Sequence, residues 1–285
     1  MSILMIESQE KRYEDNIGEV VSEVLENRDK RLILIAGPSC AGKTTTTRKI
    51  TEGITAAGRK ALSVSIDDFY LNYADAPVRE DGTKDLETIY SIDLDYLHAF
   101  LTDLMAGKTA YLPKYTFVNK CRDEKYTPVS ISGDDVVILE GLHALNPLIY
   151  SGYVDEKNLV RVYLYAESQH DNDPRFLRRM VRDYHHRGAD ADLTFSMWDD
   201  VKEGERLYID PFVNYADFKI NTYFTYEKGV HVLDARMILS QVKEDSIYYK
   251  KACRILASLE DEEPIEHSLV PMSSVLREFM KERYE

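Results

Sequence analysis

One segment constrains the fold more than any other, because residues 32–47 read LILIAGPSCAGKTTTT: an apolar strand, a glycine loop and a helix start. It satisfies the pattern G-x-x-x-x-G-K-[ST] of a phosphate-binding loop. Glycines let backbone N–H groups close around phosphates, the lysine reaches the β and γ oxygens, and the threonine hydroxyl is placed for Mg²⁺. The helix that follows directs its partly positive N-terminus at the same anion. The segment therefore predicts a nucleoside triphosphate site formed by Gly37, Ser39, Cys40, Ala41, Gly42, Lys43, Thr44 and Thr45.

Apolar runs and helical patterns alternate after this loop. The predicted strands are Leu32–Ala36, Ala61–Ile66, Val136–Leu139 and Val160–Tyr165, and the predicted helices are Thr44–Ala57, Asp93–Met105 and Asn172–Arg187. Such alternation predicts an α/β fold, with a mostly parallel sheet covered by helices on both faces. Ligands bind at the carboxyl ends of the strands in sheets of this kind. The residues that directly follow each strand are therefore the candidate site residues.

Charge and composition limit the classes of molecule that the protein is expected to bind. The chain has 36 Lys and Arg against 50 Asp and Glu, a net charge of −14, which argues against nonspecific binding to nucleic acid or membranes. No apolar run approaches a transmembrane length, and residues 1–30 lack a secretory pattern. Three scattered cysteines, Cys40, Cys121 and Cys253, have no metal-ligand spacing and suit a reducing cytoplasm. The expected protein is cytoplasmic and acts on a small molecule.

Acids follow two of the predicted strands. Asp67 and Asp68 come after the second strand, where a carboxylate can orient an attacking hydroxyl and accept its proton. A turn or helix cap is the alternative for this pair. Glu140 directly follows Val136–Leu139 and is the expected second anchor of a Mg²⁺ site opposite Thr44; a solvated carboxylate is the alternative.

Four arginines fall on one face of a predicted helix, at i, i+3, i+4 and i+7, and a fifth precedes Gly188: Arg175, Arg178, Arg179, Arg182 and Arg187. Arginines from a mobile lid neutralise the charge of a phosphoryl group in transfer. The alternative is a solvated face of ion pairs with Asp171, Asp173 and Asp183. Residues 188–194 read as a flexible loop within a lid around residues 172–206.

The chain divides into three regions by pattern. Residues 1–30 form a lead-in with an amphipathic helix over 13–28, and residues 31–230 form the core that carries the lid. Residues 231–285 form a helical extension packed on the core, helical over Ala235–Leu256. Its tail, Pro271–Glu285, places three apolar residues on one helical face and is expected to dock on the core or on a partner: Val275, Leu276 and Phe279.

Five motifs occur in a defined order: GPSCAGKT, SIDDFY, PKYTFVNKCR, VVILEGLHALN and RFLRRMVRDYHHRG. Together they resemble the uridine kinase branch of the phosphate-loop kinases, of which phosphoribulokinases are close relatives, over about residues 30–225. Two later segments, KINTYFTYEKG and PMSSVLREFM, are similar to the C-terminal part of longer bacterial nucleoside kinases. The chain therefore resembles the kinase portion of those proteins.

The resemblance implies roles for individual residues. Asp67 would be the catalytic base, Tyr70 would lie beside a nucleoside, and Glu87 would bind its ribose hydroxyls. Tyr115 would contact the base and Arg175 the nucleoside. Lys43 and the lid arginines, Arg178 and Arg182 among them, would act on the γ-phosphoryl group, with Arg179 and Arg187 completing the lid.

Two positions depart from the pattern that reads a pyrimidine. Lys120 stands where the familiar uridine–cytidine kinases carry a histidine, and Leu193 stands near a lid glutamine. Lys120 would suit an acceptor that carries a carboxylate or phosphate, and a solvated loop lysine is the alternative.

The resemblance implies a kinase that uses ATP and Mg²⁺ to phosphorylate the 5′-hydroxyl of a ribonucleoside, uridine or cytidine, in pyrimidine salvage. One alternative is a kinase of a sugar phosphate or other hydroxyl metabolite. Another is a non-catalytic ATP-binding regulator, whose slow ATP hydrolysis would not depend on an acceptor. Related kinases are often dimers or tetramers, which leaves a homo-oligomer open.

Overall fold

The computed structural model describes residues 3–168 and 173–281. Its strands are β1 (Leu32–Ala36), β2 (Ala61–Ser65), β3 (Ala110–Leu112), β4 (Tyr115–Thr116), β5 (Cys121–Arg122), β6 (Thr127–Val129), β7 (Val136–Glu140), β8 (Leu159–Tyr165) and β9 (Phe218–Asn221). Its helices are α1 (Ile3–Glu26), α2 (Lys43–Ala56), α3 (Leu94–Met105), α4 (Arg175–Arg187), α5 (Ala191–Tyr208), α6 (Glu227–Leu239) and α7 (Tyr249–Ser258).

A five-stranded parallel sheet of order β2-β7-β1-β8-β9 forms the centre of the fold. All five residues of β1 are buried, because β1 lies between two strands and both sheet faces are covered. Alternate side chains of β1 enter different cores. Ile33 and Ile35 pack with α1 and α2, whereas Leu32 and Leu34 pack with α3.

This architecture confirms the predicted fold class, and the four predicted strands agree with β1, β2, β7 and β8 to within one residue. Four short strands, β3 to β6, form two antiparallel pairs that the sequence did not reveal. Each is only two or three residues long, too short for an alternating pattern to be read. The parallel strand β9 was missed as well.

The lid region is more helical than predicted. α4 begins at Arg175, and the start predicted at Asn172 lies outside the described residues. The flexible loop expected over residues 188–194 is wrong beyond Asp190, because α5 begins at Ala191. The carboxylate of Asp190 accepts a hydrogen bond from the Leu193 N–H at 2.8 Å and caps the new helix.

The C-terminal region differs in its details from the prediction. Two helices, α6 and α7, replace the single helical stretch Ala235–Leu256, and the boundary drawn at residue 231 falls inside α6. The tail forms a short 3₁₀ turn over Val275–Glu278 instead of a helix. Its apolar residues Val275, Leu276 and Phe279 are buried in the same cluster as Ile33 and Ile35. Residues 282–285 lie outside the described ranges.

None of the helices within residues 3–168 and 173–281 combines the length and the apolar character needed to cross a membrane.

A buried arginine joins the N-terminal helix to the sheet. Arg59, 2% exposed, donates hydrogen bonds to the carbonyl oxygens of Val24, Arg28, Lys30 and Asp134. The last carbonyl groups of a helix have no intrahelical donor, so Arg59 satisfies the C-terminal end of α1. The same side chain fixes the chain entering β1 and the chain entering β7.

Substitution of Arg59 tests this link. We expect Arg59→Met to lower the free energy of unfolding by about 2–4 kcal/mol, because buried carbonyl oxygens lose a charged donor. Urea unfolding followed by circular dichroism measures the change. Arg206→Met removes an exposed arginine that pairs with the exposed Glu203 and should leave the urea midpoint unchanged. Equal midpoints for the two variants would contradict the role of Arg59.

Candidate active site

The glycine loop between β1 and α2 has the backbone that its sequence demands. Gly42 has φ +81°, and Cys40 adopts a left-handed conformation with φ +61°. A Cβ atom on Gly37 would lie 2.6 Å from the carbonyl oxygen of Leu164, so the loop passes too close to β8 for any side chain. The Lys43 ammonium donates to the carbonyl oxygen of Gly37 at 2.8 Å and folds back over the loop.

The loop is held from outside through its carbonyl oxygens. Arg175 donates to the Ser39 carbonyl and Arg178 donates to the Cys40 carbonyl, both at 3.1 Å. The Thr222 hydroxyl, just after β9, donates to the Ala41 carbonyl at 3.0 Å. Three successive carbonyl groups are therefore fixed by α4 and by the end of β9, which sets the shape of the loop before any ligand binds.

A cavity of about 320 Å³ lies at the carboxyl ends of β1, β2 and β7. It brings together residues that are far apart in sequence. They include Lys43 and Thr44 from the loop, three acids and three lid arginines: Asp67, Glu87, Glu140, Arg179, Arg182 and Arg187. The cavity thus places carboxylates opposite cations, as in-line phosphoryl transfer requires.

The two neighbouring aspartates have different surroundings. Asp67 lines the cavity, and burial raises its pKa to about 6, with the charge of Glu140 adding to the effect and Lys43 opposing it. Asp68 pairs with Lys114 at 3.0 Å and accepts a hydrogen bond from the Tyr115 N–H at 3.3 Å. Asp67 therefore faces the cavity, whereas Asp68 joins two segments of the fold.

Thr44 and Glu140 both line the cavity and offer only oxygen ligands. Mg²⁺ prefers oxygen, and it is commonly held by one or two carboxylates together with phosphate oxygens and water. In the described part of the chain, no group of three or more histidine, cysteine or acidic residues could hold a metal without a substrate. The donor set fits a cation that arrives with a nucleotide.

Three lid arginines face the cavity and share one acid. Asp183 lies 2.7 Å from Arg182, 3.3 Å from Arg179 and 3.4 Å from Arg187. Arg179 also donates to the Ser39 hydroxyl at 3.0 Å. The pairing considered from the sequence therefore exists for Asp183, whereas Asp171 lies outside the described residues. The three guanidinium groups line the cavity with Lys43 and face its carboxylates.

Two arginines of the same helix do not reach this cavity, and the roles predicted for them need correction. Arg178 is fully buried in an ion pair with Glu227 at 2.5 Å. Arg175, 4% exposed, pairs with Glu205 at 2.6 Å. Both are committed to holding α4 against the loop, so neither Arg178 as a catalytic residue nor Arg175 as a nucleoside ligand is supported. Glu227 is far along the chain, and no sequence signal connected it to Arg178.

A cluster of aromatic side chains lies next to the carboxylates of Asp67 and Glu87. Burial raises the pKa of Tyr70, and the nearby charges of Asp67 and Glu87 raise it further. The Tyr70 ring lies 5.6 Å from that of Tyr115, which in turn lies 5.1 Å from Phe117. The structure therefore places Tyr70 near Asp67 and Glu87, with Tyr115 and Phe117 next to Tyr70. Neither tyrosine is among the described residues that line the cavity.

The helix α5 packs against the cavity next to Glu87. A Cβ atom on Gly204 would lie 3.0 Å from the Cβ of Glu87, so glycine permits this close approach. Burial raises the pKa of Glu87, and the charge of Arg179 opposes this shift. Sequence reasoning assigned no role to five further lining residues, of which Leu142 and Glu278 lie in the motifs VVILEGLHALN and PMSSVLREFM and the other three lie in no motif: Leu142, Val201, Glu205, Ile209 and Glu278.

The two positions that departed from the family pattern lie outside this cavity. Lys120 is exposed in the β4–β5 connection, and its ammonium sits 4.6 Å from the centre of the Tyr73 ring. Leu193 is 49% exposed in the first turn of α5. Among the described residues that line the cavity, neither appears, so the structure does not support Lys120 as a substrate ligand.

Comparisons with known proteins agree with this geometry. A family model described as the Phosphoribulokinase / Uridine kinase family matches residues 32–227. The chain is 31% identical over 192 residues to a uridine kinase of Bacillus licheniformis, covering 66% of this chain and 84% of the relative. It is 29% identical over 187 residues to a uridine kinase of Halobacterium salinarum, covering 65% and 77%.

Solved structures support the fold. A possible uridine kinase from Bacillus stearothermophilus superimposes with a TM-score of 0.50 at 17% identity, covering 73% of this chain and 98% of that one. A putative fructose transport system kinase from Silicibacter gives the same score at 16% identity, covering 71% and 98%. The family model matches more than half of the chain, including β1, β2, β7 and the arginine-bearing helix α4, and this chain therefore belongs to the Phosphoribulokinase / Uridine kinase family.

Proposed function

We propose that the protein is an ATP-dependent kinase that transfers the γ-phosphoryl group to the 5′-hydroxyl of a ribonucleoside, uridine or cytidine, as in pyrimidine salvage. The observation that carries the proposal is the position of Asp67, a carboxylate with a raised pKa that shares one cavity with Lys43 and three arginines. The relatives named uridine kinase, 28–31% identical, support the acceptor class.

Each part of the cavity has a task in this reaction. Asp67 accepts the proton of the attacking hydroxyl, for which a pKa of about 6 suits operation near neutral pH. Lys43 and the guanidinium groups of Arg179 and Arg182 face the phosphoryl group and stabilise its charge in the transition state. Thr44 and Glu140 would hold Mg²⁺, which neutralises phosphate charge when bound. Glu87 and Tyr70 orient the acceptor.

A sugar-phosphate acceptor has less support. That alternative depended on Lys120 binding an anionic group, and Lys120 instead covers the exposed ring of Tyr73. The acids Asp67 and Glu87 on the acceptor side favour a neutral polyol such as ribose. A regulator without catalysis would have no use for a carboxylate of raised pKa in the same cavity as Lys43.

Acceptor dependence tests the proposal directly. We expect uridine or cytidine to raise ADP release from Mg²⁺–ATP at least a hundredfold over a no-acceptor control, because the acceptor hydroxyl is positioned by the cavity. A coupled assay with ribonucleosides, deoxyribonucleosides and sugar phosphates measures this. Stimulation by sugar phosphates alone would replace the nucleoside assignment, and no stimulation by any acceptor would favour a regulator.

The neighbouring aspartates provide a matched pair of variants. Asp67→Asn should lower kcat by about 10²–10⁴ while ATP binding stays near normal, because the base is lost and the phosphate loop is intact. Asp68→Asn should keep kcat within a few-fold and lower the thermal midpoint, because it weakens the pair with Lys114. Steady-state kinetics and calorimetry separate the two. A kcat that Asp67→Asn leaves largely unchanged would reject Asp67 as the base.

The lid arginines provide a second contrast. Arg182→Met should lower kcat by about 10²–10³ with little loss of stability, because a cation facing the phosphoryl group is removed. Arg178→Met should lower the free energy of unfolding by about 3–5 kcal/mol, because Glu227 is left buried without its partner. Kinetics and urea unfolding on both variants test this division. Similar profiles for the two variants would contradict it.

A further inference from the structure

The C-terminal tail is an integral part of the core. Val275, Leu276, Phe279 and Met280 are fully buried, and the Arg178 guanidinium lies 5.2 Å from the centre of the Phe279 ring. The His186 ring donates to the Met280 carbonyl oxygen at 2.8 Å, which joins the tail to the lid helix α4. The tail therefore has a fixed position next to both the sheet and the lid.

This position brings the tail onto the phosphate loop. A Cβ atom on Gly42 would lie 2.2 Å from Val275, so only glycine accommodates the tail here. Three residues further on, a Glu278 carboxylate oxygen accepts a hydrogen bond from the Thr45 hydroxyl at 3.0 Å and from the Thr45 N–H at 3.4 Å. Glu278 thus reaches the first turn of α2 and lines the cavity with Lys43 and the lid arginines.

These two donors belong to the part of α2 that binds anions. The Thr46 N–H donates to Gly42 and starts the helical ladder, whereas the Thr45 N–H is one of the first-turn donors without an intrahelical acceptor. Such N–H groups, at the positive end of the helix dipole, bind phosphate oxygens in phosphate loops. A carboxylate oxygen and a phosphate oxygen compete for the same donors because both are anionic acceptors.

We propose that Glu278 occupies the place of a nucleotide phosphate at Thr45 and must leave it when the nucleotide binds, so that the tail sets the affinity of the protein for its phosphate donor. This inference rests on the proposed nucleotide site. In the free protein, only those molecules whose Glu278 has left Thr45 can bind the nucleotide. The apparent affinity for the nucleotide is therefore reduced in proportion to this fraction. The buried apolar residues keep the tail in place while the Glu278 side chain moves.

Single substitutions in the full chain test the proposal, since truncation would remove core side chains. Glu278→Gln keeps the size of the side chain and removes its charge. We expect Kd for Mg²⁺–ATP and for Mg²⁺–tripolyphosphate to fall about tenfold, the effect of one charge-assisted hydrogen bond. Isothermal titration calorimetry measures both. Glu266→Gln, an exposed site in the same region, removes an equal charge and should change neither Kd by more than about twofold.

Each outcome is informative. Unchanged or weaker binding of tripolyphosphate by Glu278→Gln would overturn the proposal. Weaker binding of ATP alone would show instead that Glu278 holds the nucleoside part. Glu278→Asp, one methylene shorter, also withdraws from Thr45 and should tighten binding, and it decides the matter if Glu278→Gln does not fold. A wild-type protein that binds neither probe would refute the nucleotide site itself, whereas normal turnover with unchanged Kd in both variants would refute this inference alone.

Discussion

The buried ion pair between Arg178 and Glu227 is the interaction on which the site depends. The Arg178 guanidinium also donates hydrogen bonds to the carbonyl oxygen of Cys40 in the phosphate loop and to the carbonyl oxygen of Thr222 at the end of β9. The ring of Phe279 brings the C-terminal tail to the same guanidinium. Because a charged group fully removed from water must keep its partners, the pair holds the phosphate loop, the end of β9 and the tail in place against α4 and α6.

This arrangement explains how a chain of net charge −14 can build a site for an anion. Five arginines lie on the helix α4, beside the phosphate loop. Arg175 pairs with Asp173 and Glu205, and Arg178 pairs with Glu227, whereas Arg179, Arg182 and Arg187 share Asp183. These last three arginines and Lys43 line the cavity together with five acids, and a triphosphate would meet the four cations at the phosphate loop.

The candidate site could be predicted in part. Lys43, Thr44, Asp67 and Glu140 follow strands, and parallel strands bring their carboxyl ends to one edge, so the sequence placed these residues correctly in one cavity. Helical spacing put four arginines on one face of a helix, with Arg187 following, but spacing alone could not show which of them reach the cavity. Which arginine faces a ligand depended on Glu205 and Glu227, acids from other helices that only packing brings near.

The sequence by itself determined the strand–loop–helix unit, the alternation that makes a parallel sheet, and the chemistry at its edge. These are local patterns, since a glycine loop, an apolar run or a helical period is complete within about ten residues. The tertiary structure alone decided that Asp68 is structural and that Lys120 lies outside the cavity. It also decided that a glutamate from the tail sits on the phosphate loop. The contacts of Asp68 with Lys114 and of Glu278 with Thr45 join residues that are 46 and 233 positions apart. The position of Lys120 depends on the direction of the β4–β5 loop. No local sequence pattern encodes either kind of outcome.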